Sequence, residues 1–489
     1  MMFRTLLEKE LKAVLLSPKF AATFAACSIL ILLSLFIGIQ DYRASVRQYE
    51  TATRLAEQQM REQSSWGNLN NRVFRQPDPM QIFVSGVNND IGRFSMINSF
   101  QSVKLRNSIY SDDPIFAVFR FVDLTFIFQV VLSLFAILFT YDAINGERES
   151  GTLRLTFANA ISRAQYLLAK YLGSLLALVV PLFIPLLLGA LLVLVFQVPM
   201  ATADWARLIV WLGISLLFFA FFIAFGLLIS SLTKRSSVSF LISLVGWVLF
   251  VLIIPRAAVM AAGQIVTVPS VAEIEGQQDG FAKQRWERYK EELMNRWQER
   301  QAEMEGMTPD EREVYRDDHM WNWMQDDDKS RKAVQRDINT QSRKIHEDLR
   351  NRIAVQERLA FSLTRVSPAS AYNLAAMNLA GTDVGLKPRY EEPMRNYRDD
   401  FTRFVEKKQE ETGSSGGIRV TFDSEKGFDF KIDRGAGTLD LTDLPRFVAQ
   451  KRSLRETIAP TIFDFGLLCL YTILAFAGSI VAFLRYDLR

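Results

Sequence analysis

Residues 208–232 read LIVWLGISLLFFAFFIAFGLLISSL, twenty-five residues in a row without a charge. Wound as a helix with about 1.5 Å of rise per residue, such a run covers the ~30 Å hydrocarbon core of a bilayer. Inside that core every backbone amide needs a partner within its own segment, which a helix supplies. Five more apolar blocks lie on either side, at 20–40, 116–140, 167–196, 238–254 and 460–484. The sequence therefore predicts an all-α polytopic membrane protein with six transmembrane helices. The 49% apolar content and 37 phenylalanines of the 489-residue chain collect in these blocks, and the segments between them are polar.

Positively charged flanks stay on the cytoplasmic side of a membrane. Arg4, Lys9, Lys12 and Lys19 precede the first block, and Arg148, Arg154, Arg163 and Lys170 follow the second. Lys234 and Arg235 separate the fourth from the fifth, and Arg485 and Arg489 end the chain. All four groups fall on one side, which puts both termini in the cytoplasm. No small-residue cleavage pattern follows the first block, so it reads as an uncleaved anchor and not as a signal peptide.

The organisation that results has a cytoplasmic interfacial segment (1–19), a first extracytoplasmic region (41–115), a cytoplasmic loop (141–166) and a short outer loop (197–207). A cytoplasmic turn (233–237), a large extracytoplasmic domain (255–459) and a cytoplasmic tail (485–489) complete it. Long outer segments translocate largely regardless of their charge. Ahead of the first span, Phe3, Leu6, Leu7, Leu11, Val14 and Leu15 recur at helical spacing opposite Arg4, Glu8, Lys9 and Lys12. That is the pattern of an amphipathic helix lying in the membrane interface. A net charge of +4 carries no nucleic-acid signature. Cys27 and Cys469 both sit inside apolar blocks and read as neither a disulfide framework nor a metal knuckle.

Polar residues concentrate in the loop between the second and third blocks, which runs YDAINGERESGTL from Tyr141 to Leu153 and continues to Ser162, Arg163 and Lys170. Gly146 and Gly151 allow chain reversals around a short charged helix or turn. Glu147 and Glu149 either face a partner or pair on the surface with Arg148 and Arg154, and spacing leaves both readings open.

This run resembles the signature of ABC type-2 transporter permeases, especially the gliding-motility and nitrous-oxide-reductase-maturation group. In that family the acidic segment before Gly-Thr-Leu is a coupling helix that sits in a cleft of the ATP-binding subunit. The resemblance implies ATPase-coupling roles for Asp142, Asn145, Gly146, Glu147, Arg148, Glu149, Gly151, Thr152 and Leu153. It also implies two copies of the ATP-binding subunit as partners, a second permease subunit (a homodimer or a paralogue), and residence in a bacterial cytoplasmic membrane. ATP and Mg would be held by the partner ATPase, with no cofactor and no metal on this chain. Arg75 to Gly86, Ser367-Pro368-Ala369, Ala380 to Asp383 and Asp443 to Phe447 look like a subgroup with enlarged outer loops.

The chain contains no G-x-x-x-x-G-K-[ST] phosphate loop, so a separate subunit must hydrolyse ATP. His319 and His346 make no zinc spacing, and Asp317-Asp318-His319 and Asp326-Asp327-Asp328 lack the glycine-turned calcium loop and read as solvated helix ends. No G-x-S-x-G elbow or H-E-x-x-H pair supports a hydrolase reading.

Residues 273–365 read as long amphipathic helices, with a fresh start at Thr308-Pro309-Asp310-Glu311. Their stripe of Trp286, Trp297, Met320, Trp321, Trp323 and Met324 is expected to close a helical core. Further helices are expected from Ser367 to Ala380, closed by Gly381, and from Arg395 to Glu411. A break at 413–417 then leads to a β-hairpin pairing 418–422 with 428–432 across the turn 424–427. Residues 41–63 should prolong the first span as a helix. Arg120, Asp123, Gln129 and Asp464 are the polar groups in or beside the spans, either lining a path or forming an Arg120–Asp123 pair and helix contacts. Pro181 and Pro185 should bend the third span. An outer domain of this size keeps open a second function, mechanical action on an envelope protein without solute transport. A membrane-anchored receptor with no ATPase leaves the 141–153 run unexplained.

Overall fold

The computed structural model describes residues 2–98, 101, 103–112, 122–158, 161–412, 417–423, 427–433, 439–449 and 452–485. Two compact units emerge, one formed by 1–253 with 367–489 and one by 254–366.

In the first unit, α1 (Met2–Leu15) packs on α6 (Arg163–Val195), and α2 (Pro18–Arg61) begins with Ser17 accepting from the Phe20 amide. This 44-residue helix carries the first apolar block and, as expected, continues unbroken beyond it. The helix α3 (Leu124–Leu138) is the described part of the second block, whose residues 116–121 lie outside the described set. Two short helices, α4 (Asn145–Glu149) and α5 (Thr152–Ala158), follow before α6, then α7 (Thr202–Leu232) and α8 (Ser236–Val248). After the second unit come α12 (Pro368–Ala380), α13 (Leu386–Thr412), α14 (Leu454–Ile458) and α15 (Thr461–Leu484).

Five helices are long and apolar enough to cross a membrane: Pro18–Arg61, Arg163–Val195, Thr202–Leu232, Ser236–Ile265 and Thr461–Leu484; Leu124–Leu138 is apolar but shorter. The helix that carries the fifth block is longer than the block's sequence limits of 238–254, since the helical run reaches Ile265 through a π turn at Leu249–Ile253. A second π turn, Ile127–Leu132, lies in α3. Beside it the Trp247 indole donates to Ser133 Oγ at 2.8 Å, and Ser133 in turn donates to the Gln129 carbonyl at 2.5 Å.

The helix at the centre is α7. Two thirds of its most apolar window is buried, against 22–28% for the other four spans. Helices α3, α6, α8, α12 and α15 all pack on it. Trp211 stacks on Phe128 at 4.9 Å and Phe218 on Tyr372 of α12 at 4.5 Å, adding to the burial that holds the bundle together. Small residues let α12 come close, since Ala369, Ala371, Ala375, Ala376 and Ala380 are all fully buried. Its limits match the sequence, with Ser367 capping its start and Gly381 ending it at φ 72°.

A second core gathers Trp66, Leu69, Val73, Ile97, Tyr397 and Phe401 around α2's extension and α13. It includes an element the sequence did not reveal, an antiparallel pair of β1 (Asn71–Phe74) with β2 (Phe94–Ile97), in register Asn71 to Ile97. Each strand has only four residues, too few to display an alternating pattern. The expected hairpin is present as β3 (Gly417–Asp423) with β4 (Gly427–Asp433), with 413–416 and the turn 424–426 outside the described residues.

In the second unit, α9 (Ile254–Ile265) and α10 (Val271–Glu303) both pack on α11 (Pro309–Thr364), and Thr308 with Glu311 forms the anticipated capping box. The aromatic and methionine stripe does not close a core. Trp297 and Met324 are more than half exposed, and the buried apolar residues among the described ones of this unit are Ala262, Ile274 and Val334. Ion pairs carry much of the α10–α11 contact instead, with Arg300 3.2 Å and Arg296 3.6 Å from Asp327. The run Asp326-Asp327-Asp328 therefore lies mid-helix and is paired, with Lys329, Arg331 and Lys332 serving the outer two, and is not a solvated helix end.

Candidate functional site

Helix α4 starts where Asn145, fully buried, reaches across to the end of α7. Its amide nitrogen Nδ2 donates to Thr233 Oγ1 at 3.0 Å, and its Oδ1 accepts from Ser230 Oγ at 3.2 Å. Ser230 Oγ also accepts from the Ile144 backbone at 3.1 Å. Two residues further on, Glu147 turns inward. Its Oε1 accepts from Lys9 of α1 at 2.8 Å and from Lys170 of α6 at 2.9 Å, and its Oε2 accepts from the Tyr166 hydroxyl at 2.7 Å. Lys170 also reaches Glu10 at 2.9 Å, so two lysines and two glutamates balance one another in a site where Lys170 is only 5% exposed. Burial alone would raise the Glu147 carboxyl, but Lys170, Lys9 and Tyr166 outweigh it and hold the group at about 2. Burial would likewise lower Lys9, and Glu147 keeps it above its ordinary value.

Glu149 faces the other way, toward α8. It accepts from the Ser236 amide at 2.9 Å and from Ser236 Oγ at 2.8 Å, a carboxylate at a helix N-terminus, and these bonds pull it below its ordinary value. Asp142 pairs with Lys19 at the start of α2 at 3.1 Å. Gly151 has φ 75° and makes the reversal expected of it. Gly146 does not, because it lies within α4, where an added Cβ would stand 3.4 Å from that of Asp142.

Leu153 is buried with Ile144, Tyr166, Leu167 and Phe483. Tyr166 stacks on Phe483 at 5.4 Å, and Arg163 donates to the Phe483 and Leu484 carbonyls at the end of α15. Ser150, Gly151, Thr152, Arg154 and Leu155 are exposed, Leu155 by 70%, while Arg148 is half-buried. The loop thus bonds to α1, to the start of α2, to α6, to both sides of the α7–α8 turn and to the end of α15, leaving one exposed rim from Ser150 to Leu155.

The model for the ABC-2 family transporter protein matches residues 4–488. The chain belongs to the ABC-2 transporter family. It is a transmembrane subunit, a permease, and in this family the ATPase is carried by a partner ABC subunit. No curated protein matches the sequence.

The polar residues in or beside the apolar blocks of the permease do different work from one another. Asp123 caps α3, accepting from the Phe126 amide at 2.8 Å and from both the amide and the hydroxyl of Ser85 at 2.9 Å. Arg120, its expected partner, lies outside the described residues. Gln129 is half-buried in the π turn, and Asp464 is fully buried in the first turn of α15. Ser85 belongs to the Arg75–Gly86 segment, which also meets the Ala380–Asp383 segment. The Val87 amide donates to the Thr382 carbonyl at 3.0 Å, and Thr382 Oγ1 donates to the Val84 carbonyl at 3.1 Å. Two separated motifs therefore build one junction.

Sequence reasoning missed Glu10, Tyr166, Ser230, Thr233 and Ser236 as members of the loop network. A lysine at 170, well into an apolar helix, was the available signal, since such a charge requires a partner.

Proposed function

We propose that this permease crosses the cytoplasmic membrane of a bacterium six times with both ends inside, and that an ATP-binding subunit docks on the 150–155 rim. The observation that carries this reading is the loop's set of bonds to α1, α2, α6, α7, α8 and α15, because a push on the rim is then delivered to several helix ends together. Asp142, Asn145, Glu147 and Glu149 act as the links, and Ser150, Gly151, Thr152, Arg154 and Leu155 act as the contact surface. Two ATP-binding subunits, holding ATP and Mg, and a second permease copy or paralogue complete the transporter. The segments 41–115, 197–207 and 255–459 lie outside the membrane.

The joint variant Arg154→Glu/Leu155→Glu tests this reading, since both side chains are exposed and the internal network is untouched. It should lose co-purification with the ATP-binding subunit and stimulated ATP hydrolysis while keeping the parent's thermal unfolding. Normal binding and hydrolysis in this variant would overturn the docking assignment.

A second reading, transmission of force to an envelope partner, is favoured by α11. Its 56 residues run about 84 Å at ~1.5 Å per residue, with Val334 as the fully buried apolar residue among those described. Vesicles that hydrolyse ATP yet move no solute, together with a specific protein held by residues 254–366, would support it.

A further inference from the structure

The second core of the first unit is indented by a cavity of about 370 Å³. It is walled by the extension of α2 from Tyr49 to Arg61, by all four residues of β1, by Tyr397 of α13 and by the 441–447 segment. Met60, Phe74, Tyr397, Leu444 and Phe447 give it apolar and aromatic walls. Three arginines, Arg61, Arg72 and Arg446, also line it; all three are exposed, and none has an ion-pair partner among the described residues. Glu57 is the one acidic lining residue, so the lining keeps a surplus of two positive charges. Thr53 Oγ1, at the same wall, is buried and makes no hydrogen bond.

A half-open cleft of this size, with apolar walls on one part and charged side chains on another, has room for a small molecule. Arginine forks recognise carboxylate and phosphate. Along α2, Tyr49 and Arg61 lie roughly 14 and 32 Å past Gln40, where the apolar block ends, at about 1.5 Å per residue. The occupant must therefore leave the bilayer or arrive through water.

We propose that this cavity binds a single anionic amphiphile, with its carboxylate or phosphate at Arg61, Arg72 and Arg446 and its apolar chain against Met60, Phe74, Leu444 and Phe447. The Asp443–Phe447 segment, which the loop network leaves unexplained, then serves as one wall and one arginine of the site.

The full-length permease in phosphatidylcholine nanodiscs, titrated with 11-(dansylamino)undecanoic acid and corrected for empty discs, should bind this probe saturably with a blue shift. Dodecanoate and dodecyl phosphate should displace it, while dodecanol and dodecyltrimethylammonium should not. Arg72→Glu/Arg446→Glu should weaken binding at least tenfold, and Leu444→Trp, which fills the cavity, should abolish it. The arginine variant alters exposed side chains only, so it decides the matter even where Leu444→Trp folds poorly. Adding phosphatidylglycerol to the discs separates two sources of the ligand: weaker probe binding identifies a phospholipid drawn from the bilayer, and unchanged binding identifies a free acid. Displacement by dodecanol equal to that by dodecanoate, or parental affinity in the arginine variant, would overturn the proposal.

Discussion

Lys170 and Glu147 meet with Nζ and Oε1 2.9 Å apart, joining the third apolar block to the loop that precedes it. The contact is nearly dry, and its energetics are those of a buried pair. Removing one member leaves the buried charge on the other underpaired, which costs more than the pair contributes.

Lys170→Met should therefore destabilise the permease by about 3–5 kcal/mol, because Glu10 and Glu147 would both lose their buried cation and keep only the half-exposed Lys9. Thermal unfolding followed by tryptophan fluorescence reads the loss. Combining it with Glu147→Gln should restore part of the stability, and a double variant no better than Lys170→Met alone would argue against the pairing as the cause.

The same network sets a pH dependence. Glu147 is held at about 2 in the folded protein against an ordinary 4.5, so its contribution is complete above pH 4.5. It is lost as the pH falls from there toward 2, and amounts to on the order of 3 kcal/mol. Glu147→Gln should flatten this part of the stability profile relative to the parent, as judged by denaturation midpoints between pH 5 and pH 2.5.

Gly86 sits at φ 47°, and a Cβ there would lie 2.3 Å from the Thr382 carbonyl oxygen. Backbone strain and backbone crowding coincide, and no flexible side chain can move aside. Gly86→Ala should cost about 2–4 kcal/mol and expose the 75–98 segment to limited proteolysis. Full protection of that segment would show that the junction with Thr382 is not needed to hold it.

Asp123→Ala removes a helix cap and all three acceptor contacts to Phe126 and Ser85. A loss of about 1–2 kcal/mol is expected from the cap alone, with a further penalty for the half-buried Ser85 donors. Hydrogen exchange should quicken at Phe126 and Ser85 together, and a change at only one of them would separate the two roles.

The sequence was most legible where periodicity or capping chemistry is local. Thr308 with Glu311, Ser367 with Gly381, and the strands flanking 424–427 were all placed by residues within a few positions of each element. It was least legible where a side chain's partner is far along the chain. Glu147 read equally as a docking residue and as a surface pair with Arg148, because nothing near it in sequence indicates that Lys9, Tyr166 and Lys170 converge on it. The Trp297 and Met324 stripe misled for the converse reason: amphipathic spacing requires an apolar face but does not supply a neighbour for it.

Hydropathy alone determined that this chain is a polytopic membrane protein, because the cost of unpaired backbone in hydrocarbon leaves an apolar run of that length no other stable form than a helix. The loop motif alone pointed to the ABC-2 family, and the match over residues 4–488 agrees with it. Only the tertiary structure decided which loop residues bond to other helices and which are exposed, that α7 is the central helix, and that Ser85, Asp123 and Thr382 share one junction. Those outcomes depend on which helices lie side by side, and that is fixed by packing across hundreds of residues, which no local pattern records.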